Sequence, residues 1–157
     1  MKTARIIKNR KSQEGFTLIE LLVVIGILAV LLSIVLIAIN PAKQFSQANN
    51  TKRRSDVNAI LNAVDQYSAD NKGTLPTGIG SSFSEISKSG GADLCTSLVT
   101  KYIAALPVDP KVNNGTPVTD CASSYSTGYF ILQSATDSRV TVSAAQAELS
   151  DTIMVTR

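Results

Sequence analysis

Histidine and tryptophan are absent from this 157-residue chain, and cysteine occurs only twice. Without histidine the commonest general base and the commonest metal ligand are both missing. The composition therefore argues against an enzyme. Net charge is small as well, with 15 lysines and arginines against 12 aspartates and glutamates. Even that excess is local: Lys2, Arg5, Lys8, Arg10 and Lys11 crowd the first eleven residues, followed by the lone acid Glu14. Setting those aside leaves ten bases and eleven acids from Phe16 onward, a side-chain charge of about −1. A basic pI that belongs to one terminal segment gives no support to a specific nucleic-acid partner.

Charge is missing altogether from residues 21–39, LLVVIGILAVLLSIVLIAI. A helix of that length reaches about 28 Å, close to the hydrocarbon thickness of a bilayer. A cytosolic core helix would carry a polar face over five turns, and this one carries none. The basic cluster precedes the apolar run, so the positive-inside rule keeps the N-terminus in the cytoplasm and sends the chain after Pro41 across. An ordinary secretory signal is cut beyond its apolar stretch at a small-x-small site. Ile37-Ala38-Ile39-Asn40-Pro41-Ala42 matches that pattern poorly.

The other end of the run is more informative. It reads Glu14-Gly15-Phe16-Thr17-Leu18-Ile19-Glu20, a small residue followed by a lone carboxylate inside the hydrophobic stretch. A charge in a membrane segment costs on the order of 2.5–3.5 kcal/mol on insertion scales. Glu20 either reaches the headgroups or needs a cation supplied during assembly. Cleavage after Gly15 would create such a cation, the α-amino group of Phe16.

Gly15-Phe16-Thr17-Leu18-Ile19-Glu20, followed by about twenty apolar residues, resembles the prepilin signature of type IV pilins and type II secretion pseudopilins. The resemblance implies that a prepilin peptidase cuts between Gly15 and Phe16 and that Phe16 is then N-methylated. It also implies that Glu20 pairs with the Phe16 amine of a neighbouring subunit in a filament. Tyr67-Ser68-Ala69-Asp70-Asn71 through Leu75-Pro76 is similar to the helix exit of the same family, and Leu106-Pro107-Val108-Asp109-Pro110 to a turn of the major pseudopilins.

Asn40-Pro41 marks a break in the helical pattern. Val57, Ile60, Leu61, Val64 and Tyr67 then fall on one helical face, ending near Asp70-Asn71-Lys72-Gly73. Residues 46–56 are almost wholly polar, and Lys52-Arg53-Arg54 reads as a solvated face or a subunit contact. Residues 77–93, rich in glycine and serine, read as a surface loop. Leu94, Leu98, Tyr102 and Leu106 predict a short helix over 94–105. Tyr125–Gln133, Arg139–Ala147 and the segment around Ile153 and Val155 predict an antiparallel three-stranded meander. Its apolar face can cover the helix stripe, which makes the fold α+β: a long N-terminal helix packed on a small antiparallel sheet.

Cys95 and Cys121 both lie on the exported side, where disulfides persist. A bridge between them is expected, with two independently buried thiols as the alternative. Two cysteines without histidine make a poor metal site. The family resemblance brings in calcium, for which Asp109, Asn113 and Asp120 could supply oxygens, although loop aspartates ordinarily cap turns.

These expectations combine into a leader at residues 1–15, a transmembrane and filament-core helix at 16–41, and an amphipathic helix with a globular head at 42–157. The precursor is expected in the cytoplasmic membrane as a single-pass protein, and the processed form in an extracellular filament of identical copies. Its partners would be the prepilin peptidase, the pilus assembly machinery and further copies of itself, with no cofactor. A pseudopilin of a secretion or DNA-uptake machine is the close alternative. A membrane-tethered enzyme or ligand-binding protein with an uncleaved anchor is the distant one.

Overall fold

The computed structural model describes residues 15–157, so the basic cluster and Glu14 lie outside the described residues. The chain divides into two compact units, one ending at Pro41 and the other running from Ala42 to Arg157. The first contains helix α1, Leu18–Ile39, 22 residues long. Apart from Glu20, Gly26 and Ser33 its residues are aliphatic, and Ser33 returns its hydroxyl to the Ala29 carbonyl at 2.8 Å. Asn40 stops the helix in the left-handed region at φ 46°, a conformation that asparagine tolerates better than most residues. Helix α2, Pro41–Asp70, restarts at once. Proline suits that first position because its missing N–H would have had no helical acceptor.

In the second unit α2 lies over a sheet ordered β1-β2-β3-β4, all neighbours antiparallel. The strands are β1 Ser84–Ser87, β2 Ser126–Gln133, β3 Val140–Ala144 and β4 Ile153–Thr156. The last three form the expected meander. Alternation sets their register: Ile131 sits opposite Val142, which sits opposite Val155. Val57, Ile60, Leu61 and Val64 of α2 share one core with Tyr129, Ile131, Val140, Val142 and Ile153. Burying each such aliphatic side chain is worth about 1.5–3 kcal/mol.

Two sequence expectations need correction. Residues 77–93 are not loop throughout, since β1 lies within them and pairs with β2. One fully buried apolar residue, Ile86, anchors that strand, too little for any periodicity to register. Its outer edge is covered by its own chain, with Ala92 N–H donating to the Glu85 carbonyl at 2.7 Å and Ser87 N–H to the Ala92 carbonyl at 3.2 Å. Only glycine fits at 91, because a Cβ there would collide with the Glu85 carbonyl oxygen. The helix expected over 94–105 is a single turn, α3, Cys95–Leu98. Thr100 turns the chain at φ 72° and donates its N–H to the Ile103 carbonyl at 2.8 Å. Leu94, Leu98 and Leu106 are buried all the same, so their spacing reported burial rather than helix.

Cys95 and Cys121 form a disulfide, with Cα atoms 5.4 Å apart. The bridge joins α3 to the loop before β2 across 26 positions, which in the chain-entropy account stabilises the fold by about 3.5 kcal/mol. Peptide maps with and without reduction should therefore differ by one Cys95–Cys121 crosslink, and reduction should destabilise the protein by about 3 kcal/mol. Thiols that react with an alkylating agent before reduction would contradict the pairing.

Candidate functional site

Phe16, 89 % exposed, leads to Thr17, which enters α1 in extended backbone. Thr17 is the N-cap. Its hydroxyl oxygen accepts from Glu20 N–H at 3.3 Å. The Glu20 carboxylate reaches back, and its Oε2 accepts from Thr17 N–H at 2.9 Å and from the Thr17 hydroxyl at 2.6 Å. This reciprocal pair satisfies two of the donors that every helix N-terminus leaves open. Glu20 thus has partners inside its own chain. Thr-x-x-Glu is a capping signature that the sequence itself carries.

Beyond the cap, no residue of α1 is buried among the described residues of its unit. Among the described residues it is the one helix long and apolar enough to cross a membrane. A helix that is apolar all round needs a nonaqueous surface on every side. Among the described residues, nothing within its own unit supplies that surface.

The second polar constellation lies in the head and was missed by sequence reasoning. Arg53, expected on a solvated face or at a subunit contact, is completely buried. Its Nε and Nη2 donate to Asp109 Oδ2 and Oδ1 at 2.6 and 3.0 Å, a bidentate pair. Nη1 donates to Asn50 Oδ1 and to Glu148 Oε2, both at 2.9 Å. Glu148, in the β3–β4 connection, also accepts from Asn49 at 2.9 Å and from Ser46 at 3.2 Å, and pairs with Lys111 at 2.9 Å. Asn50 completes the joint, donating to the Glu148 carbonyl at 2.7 Å and accepting its N–H at 2.9 Å. Asp109 is delivered by its own N–H bond to the Thr127 carbonyl at 2.8 Å. Gly128, at φ 74°, keeps the space beside it clear, since a Cβ would stand 3.1 Å from that of Asp109.

The model of the prokaryotic N-terminal methylation motif matches residues 10–36, which include Gly15, Phe16 and Glu20. Three relatives share a description, type II secretion system core protein G. That of Pseudomonas aeruginosa is 34 % identical over 102 residues, covering 65 % of this chain and 70 % of the relative. That of Vibrio cholerae is 33 % identical over 107 residues, covering 68 % and 71 %. That of Escherichia coli is 44 % identical over 59 residues, covering 38 % and 39 %. The chain belongs to the type IV pilin and pseudopilin family. No solved structure matches it.

As a pilin-family chain it carries the prepilin residues at the start of α1 and the Arg53 joint in its head. The three calcium candidates of the head are not equivalent. Asp109 is fully buried and spends both oxygens on Arg53, with Lys111 N–H adding a bond to Oδ1 at 2.9 Å. Asn113 and Asp120 instead border a polar cleft of about 440 Å³. Asp120 is held ionised below the ordinary carboxylate range by the Ser123 hydroxyl, then by Ala122 N–H.

Arg53 depresses the Glu148 carboxyl most, followed by Asn49 and Lys111, down to about 2 from 4.5. A depressed folded-state value stabilises the fold above the unfolded value and loses that contribution as pH falls toward the folded one. Stability of the head should therefore drop between pH 4.5 and about 2, and Glu148→Gln should flatten that limb of the curve. Arg53→Leu should be worse at neutral pH, by about 3–5 kcal/mol, because it leaves Asp109 buried without a counter-charge. Denaturant titrations from pH 7 down to pH 2 read both effects; an unchanged acid limb in Glu148→Gln contradicts this account.

Proposed function

We propose that this chain is the structural subunit of a pilus-like filament, made as a membrane-anchored precursor and assembled after cleavage between Gly15 and Phe16. The observation that carries the proposal is α1: 22 residues, apolar on every side beyond Glu20, with none buried among the described residues of its unit. Such a helix is stable in lipid, and equally stable when surrounded by copies of itself. Lipid and a bundle of aliphatic helices solvate it alike, so packing contacts and polar pairs decide the transfer. Gly26 has open space around its missing side chain, where another helix could approach closely.

In this reading the prepilin peptidase removes the leader and Phe16 is N-methylated. The new amine then meets the Glu20 carboxylate of a neighbouring subunit. The peptidase, the assembly machinery, the cytoplasmic membrane and further copies are the partners, and the role is structural rather than enzymatic. The shared description of the relatives favours a secretion pseudopilus over a long surface pilus.

Mass spectrometry of protein taken from membranes or sheared filaments tests processing. The mature subunit should begin at Phe16 and weigh one methyl group more than the cut chain; a full-length protein in filaments would refute the assignment. Gly15→Val should accumulate as precursor, because a branched side chain replaces hydrogen at the cut. Glu20→Ala should still insert, since the span becomes more apolar, while assembly fails or slows severely. In the filament the pair is shielded from water, so losing one partner costs about 3–5 kcal/mol per subunit. Fractionation into membrane and sheared-filament pools decides it, and a wild-type filament yield would mean that Glu20 merely reaches the headgroups.

A further inference from the structure

The segment from Val112 to Ser126 is largely exposed and contributes little to the core of the head. Only Val118, Cys121 and Tyr125 of its residues pack against that core, each partly buried. Leu106 and Val118 exchange both backbone bonds at 2.9 Å. Lys88 N–H donates to the Tyr125 carbonyl at 3.0 Å, and the Tyr125 hydroxyl donates to Asp93 at 2.7 Å while accepting Cys95 N–H at 3.2 Å. The Lys88 ammonium donates to the Cys121 carbonyl at 2.5 Å and stands 3.7 Å from the Asp93 carboxylate. Beside it runs the Cys95–Cys121 disulfide.

This is the part of the head where family resemblance implies calcium, and the residues present do not fit the ion. Calcium takes six to eight oxygens at roughly 2.3–2.6 Å. Asp109 is committed to Arg53. Asp120 caps its own turn, accepting from Ala122 N–H at 2.9 Å and the Ser123 hydroxyl at 2.6 Å, and it is the one carboxylate that lines the cleft. Among the described residues no group of three or more acids or cysteines is placed to hold a metal. The Cys121 carbonyl already faces a cation, and Lys88 would repel a second one.

We propose that the Cys95–Cys121 disulfide and the Lys88 ammonium together clasp the 112–126 segment in place of a bound calcium ion, so that its closure follows thiol oxidation rather than calcium. The ammonium supplies one positive charge to the Cys121 carbonyl and Asp93; the disulfide supplies the covalent tie. The segment would remain open in a reducing compartment and close once the chain is exported and oxidised. A dithiol reverses this, giving two electrons and two protons to the bridge and closing into its own cyclic disulfide.

The proposal concerns the head alone and stands whether or not the chain polymerises. Its test is limited proteolysis and thermal unfolding of the full chain in detergent, with calcium or a chelator, each with and without dithiothreitol. Calcium should leave the unfolding midpoint and cleavage pattern unchanged. Reduction should lower the midpoint by roughly 10 °C and bring the first new cuts into 112–126. Lys88→Gln, kept oxidised, should be cut several-fold faster in the same segment at either calcium level. Protection or a raised midpoint with calcium overturns the proposal. So does reduction that leaves cleavage unchanged or spreads it evenly over the head, and so does wild-type resistance in Lys88→Gln.

Discussion

The head depends on one buried guanidinium. Arg53 reaches out of α2 and binds two acids that are remote from it in sequence, Asp109 before β2 and Glu148 before β4. With Asn50 it fixes the helix against both connections at once. Opposite charges so placed hold each other only because nearly every hydrogen-bonding position around them is filled, and among the described residues no buried side-chain donor or acceptor lacks a partner. Such a joint adds little net stability over a well-packed apolar one, because desolvation offsets most of the attraction. Its contribution is to position. An aliphatic contact tolerates sliding by a fraction of a turn, whereas a bidentate guanidinium–carboxylate pair does not.

The surrounding polar groups extend the same constraint. Lys52 donates to the Val108 carbonyl at 2.9 Å and pairs with Asp56, which accepts the Tyr129 hydroxyl at 2.7 Å. Burial, then that bond to Asp56, pushes the Tyr129 hydroxyl well above its ordinary range, so it stays a neutral donor. Arg54 pairs with Asp151 on the far side. The triplet 52–54 therefore divides its work among three directions: one residue to the 107–110 turn, one to the interior and one to the β3–β4 connection.

Much of this architecture was legible in the chain. The apolar half of α2 and the three-strand meander followed from periods of 3.6 and 2, and the disulfide from compartment. The other half of the same helix stripe was not. Ser46, Asn50, Arg53, Val57, Ile60 and Val64 recur at steps of four and three, one face running without a break. Hydropathy registers only its last three members, because a buried polar face reads like a solvated one until its partners are known. Those partners lie up to 102 positions away. β1 escaped for a different reason: an edge strand with one buried apolar side chain has no alternation to detect. The Thr17–Glu20 cap is fully local, three residues apart, and needs no tertiary partner to be read.

That cap changes the physical problem posed by an acid in an apolar helix. A bare carboxylate would draw water or headgroups toward it, or stay protonated. Here Oε2 takes both bonds from Thr17, so part of the lost hydration is replaced within the same turn. The helix dipole adds to this, because the first turn is where a negative charge is favoured. Only one carboxylate oxygen is used. The other keeps its lone pairs, and a carboxylate has acceptor sites enough for both a cap and a cation. Carrying the acid in the single subunit and accepting an amine from another are therefore compatible states of one side chain, and moving between them requires no break in α1.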